Sequence, residues 1–463
     1  MKFNFLKKYL EHKKFYLTLL TVTLPIVLQN LIASSINMLD TVMIGKLGQS
    51  ELASVGIANQ YYFLFSLAIF GVAAGCGVFI AQLWGKKDVK NIKSTLGIGL
   101  ISGLLITLIF VVLGMIFPRK IMGIFSTDPK VIELGRDYLL IVSVSYIFTA
   151  VSFTYASALR SIRSSSLPMW ASVGALFCNC ILNYLLIFGK FGFPPMGVKG
   201  AAIATLIARA TEVFIILYYV YTREHTLKAS SHELFKSSKT MFVNIFKVAT
   251  PIILNDICFG LSTVTYAAIY GRISTEAIAS IQICTTVFNL FLVFIYGLAN
   301  SAVVIVGNEI GAGKNEQGIL YANRITSLAL EIGVVLALLL ALITPYVVNV
   351  FNVSETVKND AFIILIIYSI LMIPKVYNLL IIVGIFRGGG ENIYGGVVQG
   401  LTSWFVGIPL AFFVAHILHL PIYYVVAFSS VEELLKTFIL FKRYKSYKWI
   451  KNITKSFDDS VTI

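Results

Sequence analysis

Charge is scarce in this chain. Asp, Glu, Lys and Arg together make up 13% of its 463 residues, about half the share found in an ordinary soluble domain. Hydrophobic residues fill 57% and the mean hydropathy is +0.85; no water-soluble fold of this length hides that much apolar surface. Cysteine is sparse too. Cys76, Cys178, Cys180, Cys258 and Cys284 all lie inside apolar runs without metal-ligand spacing, which excludes a disulfide framework or a structural zinc site and leaves them as small packing residues. No HExxH, GxSxG or intramembrane aspartate pair occurs, so the chain reads as a non-enzyme. The glycine-rich turn at Gly388 to Gly390 lacks the following Lys-Ser/Thr and the preceding strand that a phosphate loop needs. A secretory signal is excluded because the apolar run behind the basic N-terminus is too long and has no small-residue cleavage site.

What the chain does have is apolar runs long enough to cross a hydrocarbon core of about 30 Å. Twelve can be read, at 15–44, 52–83, 94–117, 131–159, 166–189 and 197–222, then at 242–270, 278–309, 321–349, 357–386, 394–416 and 420–441. The expected fold is an all-α integral membrane protein. Its parts are an N-terminal six-helix lobe (1–222), a partly helical cytoplasmic linker (223–246), a C-terminal six-helix lobe (247–441) and a cytoplasmic tail (442–463). The net charge of +15 follows topology. Lys2, Lys7, Lys8, Lys13 and Lys14, then Lys86, Lys87, Lys90 and Lys93, then Arg160 and Arg163, fall on one side. Linker residues including Lys236 and tail residues including Lys455 join them there. That distribution places both termini in the cytoplasm and removes nucleic acid as a partner, leaving the bilayer itself.

The sequence is also written twice. Residues 25 to 85 align with 251 to 311 at a constant offset of 226: Pro25 with Pro251, Gly45 with Gly271, Phe65 with Phe291, Gly71 with Gly297, Gly85 with Gly311. One residue of slip later pairs Arg160 with Arg387 and Pro118 with Pro345. Six spans per copy make the repeats parallel, and two such halves around a central cleft are the build of an alternating-access transporter. Matching turns end the second helix of each copy, at WGKKD and IGAGK, where glycine is expected to supply a left-handed cap.

A few polar residues stand out because they are costly at bilayer depth. Asp40 sits in TLPIVLQNLIASSINMLDTVMIG, a run with no other charge; a carboxylate there costs on the order of 3 kcal/mol and should face a polar cavity. Its repeat position is Tyr266, so the charge is not a requirement of both lobes. Asn179 and Asn183, four apart on the fifth helix, share one face, and with Thr205 on the sixth they supply neutral oxygens suited to a monovalent cation, with Na+ possible at Asp40. In the second copy Asn255 and Asp256 occupy the seventh helix, Lys375 and Asn378 the tenth. Asp256 and Lys375 are expected to neutralise one another there as a substrate or proton relay. Arg209 and Glu212, three apart, read as an intrahelical pair. Phe65, Tyr155, Tyr266 and Phe288 are candidates for lining the cleft.

Taken in order, the Pro25–Asp40–Gly45 spacing with KLGQSELASVGIA, the block LNYLLIFGKFGFPPMGVKGAAIAT, then IYGRISTEAIAS, IVGNEIGAGK and FRGGGEN resemble the multidrug and toxic compound extrusion (MATE) family over nearly the whole length. The resemblance implies two six-helix lobes around a V-shaped cleft, export of small cationic or amphipathic organic substrates by a monomer, and coupling to inward Na+ or H+ with no resident cofactor. It puts Asp40 at the family's N-lobe acidic position with Asn179, Asn183 and Thr205 beside it. Where some relatives carry a second carboxylate this chain has Asn183, which leaves one negative charge fewer. Asp256 answers to an acid on the seventh helix, whereas Lys375 and Asn378 offer none on the tenth. A lipid-linked precursor flippase is the rival reading, and would need more basic residues at depth than Lys375 and Arg209.

Overall fold

The computed structural model describes residues 13–223, 225–235, 239–351 and 353–454. Lys2, Lys7, Lys8, Lys236 and Lys455, counted above for topology, lie outside them. Among the described residues there is helix and no strand. Six long helices come first: α1 (Lys13–Gly45), α2 (Gln49–Lys86), α3 (Val89–Ile116), α4 (Pro129–Ser161), α5 (Ser166–Phe188) and α6 (Gly197–Thr222). A short helix, Ser231–Phe235, follows in the linker. Then come α7 (Lys239–Gly271), α8 (Thr275–Gly311), α9 (Asn315–Val350), α10 (Glu355–Phe386) and α11 (Asn392–Ile417).

These eleven are long and apolar enough to span a bilayer. The twelfth run, expected at 420–441, is instead two pieces, α12 (Ile422–Ser429) and α13 (Val431–Lys445), joined at Ser430. At 8 and 15 residues neither piece is long enough to cross a bilayer alone, and Glu432, Glu433 and Lys436 are buried just after the join. The chain separates into two compact units, the first ending at Ile253 and the second beginning at Leu254, inside α7.

Sequence duplication is visible in the turns. α2 ends with Lys87 N–H donating to Trp84 O and Asp88 N–H to Leu83 O; α8 ends with Gly313 N–H to Ile310 O and Lys314 N–H to Glu309 O. The same pair of bonds closes α4 at Arg163 and Ser164, and α10 at Gly390 and Glu391. All four are Schellman caps, and the left-handed residue falls at repeat-equivalent positions. In the second copy it is glycine, Gly313 (φ 76) and Gly390 (φ 85); in the first it is Lys87 (φ 64) and Arg163 (φ 65). The expectation that Gly85 would form the cap is therefore corrected: Gly85 is inside α2 and a lysine carries the strained conformation.

Within the first unit, α2 and α4 pack closely through small residues and hydroxyl groups, the means by which helices associate where lipid removes the hydrophobic drive. Ser157 Oγ donates to Ala73 O at 2.7 Å and Ser161 Oγ to Gly77 O at 2.8 Å; a Cβ on Gly77 would lie 2.5 Å from Ser157 Oγ. In the second unit the small partners change sides. Gly384 and Gly388, the repeat positions of Ser157 and Ser161, pack on Ala299, Ala302 and Val303 of α8. An aromatic core fills the first unit, with Phe65 stacked on Tyr146 at 4.6 Å. Phe65, Tyr155 and Phe288 are buried and serve as core side chains, which corrects their candidacy as cleft residues; Tyr266 is half-buried.

Each unit is closed by the segment after its last helix. In the first, Leu227 and Ala229 are buried, Lys93 Nζ pairs with Glu233 at 2.8 Å, and the backbone at Leu234 lies against Gly97. In the second, the strap after α13 buries Trp449 completely and stacks it on Tyr444 at 5.8 Å. Lys451 N–H donates to Gly389 O at 2.7 Å, and Glu391 takes Arg443 at 2.6 Å and Lys451 at 2.8 Å.

Candidate functional site

In the first unit the bundle encloses a cavity of about 60 Å³ lined by both polar and apolar side chains. α1 contributes Asp40 and Thr41, α5 Asn179, α6 Thr205 and Arg209, and α4 Tyr138 and Tyr146. Asn183 Nδ2 donates to Asp40 Oδ1 at 2.5 Å and to Asn179 Oδ1 at 3.1 Å. Both amides are fully buried, as the i, i+4 spacing on α5 places them one above the other facing α1. Asp40, Asn179, Asn183 and Thr205 are thus brought together.

Two buried polar atoms beside the carboxylate have no hydrogen-bond partner, Asn179 Nδ2 and Asn183 Oδ1. Leaving such atoms unpaired costs about 1–3 kcal/mol each, so this is a place where a guest carrying compensating contacts is stabilised. Size limits the guest. A water needs roughly 10–15 Å³ of such space, and drug-sized ligands occupy pockets of about 300–1,000 Å³. The cavity fits an ion with a few waters.

Arg209 links this cavity to a second layer. Its Nη1 donates to Glu212 Oε2 at 3.2 Å, the intrahelical pair expected from the sequence. Glu212 Oε1 accepts from Ser172 Oγ at 2.7 Å, Ser172 Oγ accepts from Gln29 Nε2 at 3.2 Å, and Gln29 Oε1 accepts from Arg160 Nη1 at 3.1 Å. One polar chain therefore runs from α4 through α1 and α5 to α6, ending on the cavity wall.

The second unit departs from the expected pairing. Asp256 Oδ1 accepts from Arg387 Nη2 at 3.0 Å and from Asn255 Nδ2 at 3.1 Å, whereas Lys375 Nζ donates to Glu433 Oε1 at 2.8 Å. Asn378 Nδ2 donates to Glu433 Oε2 at 2.7 Å, and Lys436 Nζ to Glu433 Oε1 at 3.2 Å. Asp256 and Lys375 each have another partner, so the proposed neutralisation of one by the other is replaced by two separate pairs. The reason is local. Arg387 closes α10 at the turn reading FRGGGEN and turns inward to α7, and α13 buries the glutamates that its amphipathic sequence EELLK carries. Sequence reasoning missed Glu432, Glu433, Lys436, Arg387 and the Gln29–Ser172–Glu212 chain. The signal available was the repeat itself, which pairs Arg387 with Arg160.

Among the described residues no cluster of His, Cys, Asp and Glu could hold a metal ion, and the five cysteines are free.

A duplicated helical bundle with an acid-and-amide cavity inside one unit is the build of a secondary membrane transporter. The chain belongs to the MatE family, whose profile matches it twice, over residues 25–185 and 251–413. It is similar to a probable multidrug resistance protein NorM from Thermotoga maritima, 24% identical over 430 residues and 89% of each chain. It is equally similar to a probable multidrug resistance protein YoeA from Bacillus subtilis, 24% identical over 403 residues and 86% of each. Its fold matches a crystal structure of a variant of the Vibrio cholerae MATE transporter VcmN, with a TM-score of 0.84 at 19% identity over 95% of this chain and 98% of that one. A MOP-superfamily transporter from Pyrococcus furiosus, described as having a binding pocket of reversed polarity, matches with a TM-score of 0.80 at 18% identity over 93% and 96%. The chain is therefore a multi-pass membrane transporter of the multidrug efflux family.

Proposed function

We propose that the protein exports organic cations in exchange for an inward ion that binds at Asp40, by alternating access between its two lobes, with both termini cytoplasmic. The observation that carries this reading is the Asp40–Asn183 pair inside a cavity of about 60 Å³. That space is too small for a drug and suited to a coupling ion. The organic substrate is therefore assigned elsewhere, and the names of the curated relatives, probable multidrug resistance proteins, support a drug-like one.

The proton is the coupling ion that fits best. The site has one carboxylate where a Na+ site gains from two, and the Arg209 guanidinium on the wall already supplies a positive charge. H+ and Na+ add the same unit of positive charge beside Arg209, but a proton needs only the one carboxylate, whereas Na+ needs a shell of oxygen ligands as well. Na+ is the second reading, supported by the unpartnered Asn183 Oδ1 and the Thr205 hydroxyl on the cavity wall, since a hard cation takes oxygen ligands. In either case occupation of Asp40 alters its bond to Asn183 and so the fit of α1 on α5.

The test is efflux of a cationic dye from proteoliposomes with imposed H+ and Na+ gradients, applied separately. Asp40→Asn should fold and abolish gradient-driven efflux; full efflux by that variant would refute the assignment.

A further inference from the structure

Charges of alternating sign follow one another through the first unit. Arg160 on α4 comes first, then Glu212 and Arg209 on α6, then Asp40 on α1 across the cavity. Neutral side chains, Gln29 and Ser172, fill the gap between Arg160 and Glu212. In the second unit the equivalent arginine, Arg387, meets an acid directly at Asp256; here the acid stands further along, beside the cavity.

Glu212 is 4% exposed and both of its oxygens are engaged. Oε1 accepts from Ser172 Oγ at 2.7 Å and Oε2 from Arg209 Nη1 at 3.2 Å. Because Ser172 is bonded to Gln29 and Gln29 to Arg160, α1, α4 and α5 together steady the carboxylate from behind while it holds the arginine in front. Arg209 and Asp40 line the same cavity of about 60 Å³, so opposite charges face each other over a space of a few waters. Their hydrogen bonds nevertheless go elsewhere, Asp40 taking Asn183 and Arg209 giving to Glu212. A guanidinium free to meet a carboxylate pairs with both of its oxygens, and those are the atoms that a coupling ion needs.

We propose that Glu212 is a positioning residue for the coupling site, one that holds Arg209 back from Asp40 and so keeps that carboxylate open to the ion. The inference rests on the reading of Asp40 as the coupling site. The other ionisable groups that face Asp40 are Tyr62 of α2, Tyr138 and Tyr146 of α4 and Cys180 of α5; among the described residues that line the cavity, Arg209 is the one base. Without Glu212, Arg209 is a poorly compensated charge whose nearest remedy is Asp40.

The test is gradient-driven efflux of a cationic dye from proteoliposomes, measured against the concentration of the coupling ion, H+ or Na+. Glu212→Gln is expected to raise the ion concentration for half-maximal efflux about tenfold or more, because Arg209 then competes for the carboxylate. Saturating ion should bring the maximal rate back. Removing the competitor too, in Arg209→Gln/Glu212→Gln, should return the half-maximal concentration to the unmodified value or below it. A pair needed only for packing gives the opposite order, with the double variant no better than the single. Ser172→Ala alters no charge but loosens Glu212, and should move the ion dependence the same way by a smaller factor; it decides the question should Glu212→Gln fail to fold. An unmoved half-maximal concentration in the variant that decides, or a double variant as impaired as Glu212→Gln, would overturn the proposal. If Asp40→Asn retains full efflux, the coupling reading has failed and the role of Glu212 falls with it; if Asp40 is required and the ion dependence stays put, only the role of Glu212 has failed.

Discussion

Arg387 reaches from the end of α10 to Asp256 on α7 at 3.0 Å, and Arg160, its counterpart in the first repeat, makes the same reach from α4 to Gln29 on α1 at 3.1 Å. Duplication has kept the arginine and changed what it meets, a carboxylate in one unit and an amide in the other. The Asp256 and Arg387 side chains are only 17% and 7% exposed. Removing one partner leaves a buried charge uncompensated, at about 3–5 kcal/mol. Arg387→Gln should therefore lower thermal stability in detergent markedly, and adding Asp256→Asn should restore part of the loss. Arg160→Gln should cost less, since Gln29 carries no charge. A double-mutant cycle on both pairs measures the difference.

Asn183 invites the opposite kind of change. Asn183→Asp places a second carboxylate against Asp40 and offsets Arg209. The expected outcome is Na+ binding and a Na+-gradient response that the unmodified protein lacks or shows weakly, read by sodium uptake into proteoliposomes. An unaltered ion dependence would indicate that Arg209 does not govern ion choice.

Lys87 holds a left-handed backbone that its repeat partner, Gly313, adopts without a side chain. Its side chain is exposed. Lys87→Gly relieves a conformational cost of about 1–2 kcal/mol and gives back part of it in unfolded-state entropy, so a net gain of about 0.5–1 kcal/mol is expected. A small upward shift in melting temperature with unchanged transport checks it.

Glu391 sits in the turn between α10 and α11. Burial pushes its carboxyl up, but hydrogen bonds from Lys451 and Arg443 outweigh that and hold it below the usual carboxylate range. A carboxyl depressed in the folded state stabilises fully above its unfolded pKa, and that stabilisation is lost as pH falls through the lower folded value. Melting temperature should therefore fall on acidification below about pH 4.5, and Glu391→Gln should be less stable near neutrality with a flatter acid limb.

Much of the architecture was legible because hydropathy and duplication are long-range signals: a lone Asp40 in an apolar run, or two asparagines at helical spacing, announce a cavity through their cost alone. What escaped was pairing. Glu432 and Glu433 lie in the middle of the run read as 420–441, where the apolar residues on either side masked them until α13 was seen to bury them. Arg387 stands in a glycine-rich turn that looks solvent-facing, and nothing local says that it points back to Asp256. The Schellman cap at Lys87 was hidden because a glycine two residues earlier offered a cheaper answer.

Trp449 is completely buried under a strap that starts only after α13, and Trp449→Ala should cost about 3–5 kcal/mol, confined to the second unit. Because a chain is made from its amino end, the segment 225–235 is at hand to finish the first unit early in translation. The second unit must wait for its lock until the ribosome has passed Trp449 and Lys451. A nascent chain halted before that point would carry an unsealed second unit, with Tyr444 and Gly389 bare, a natural target for quality-control proteases.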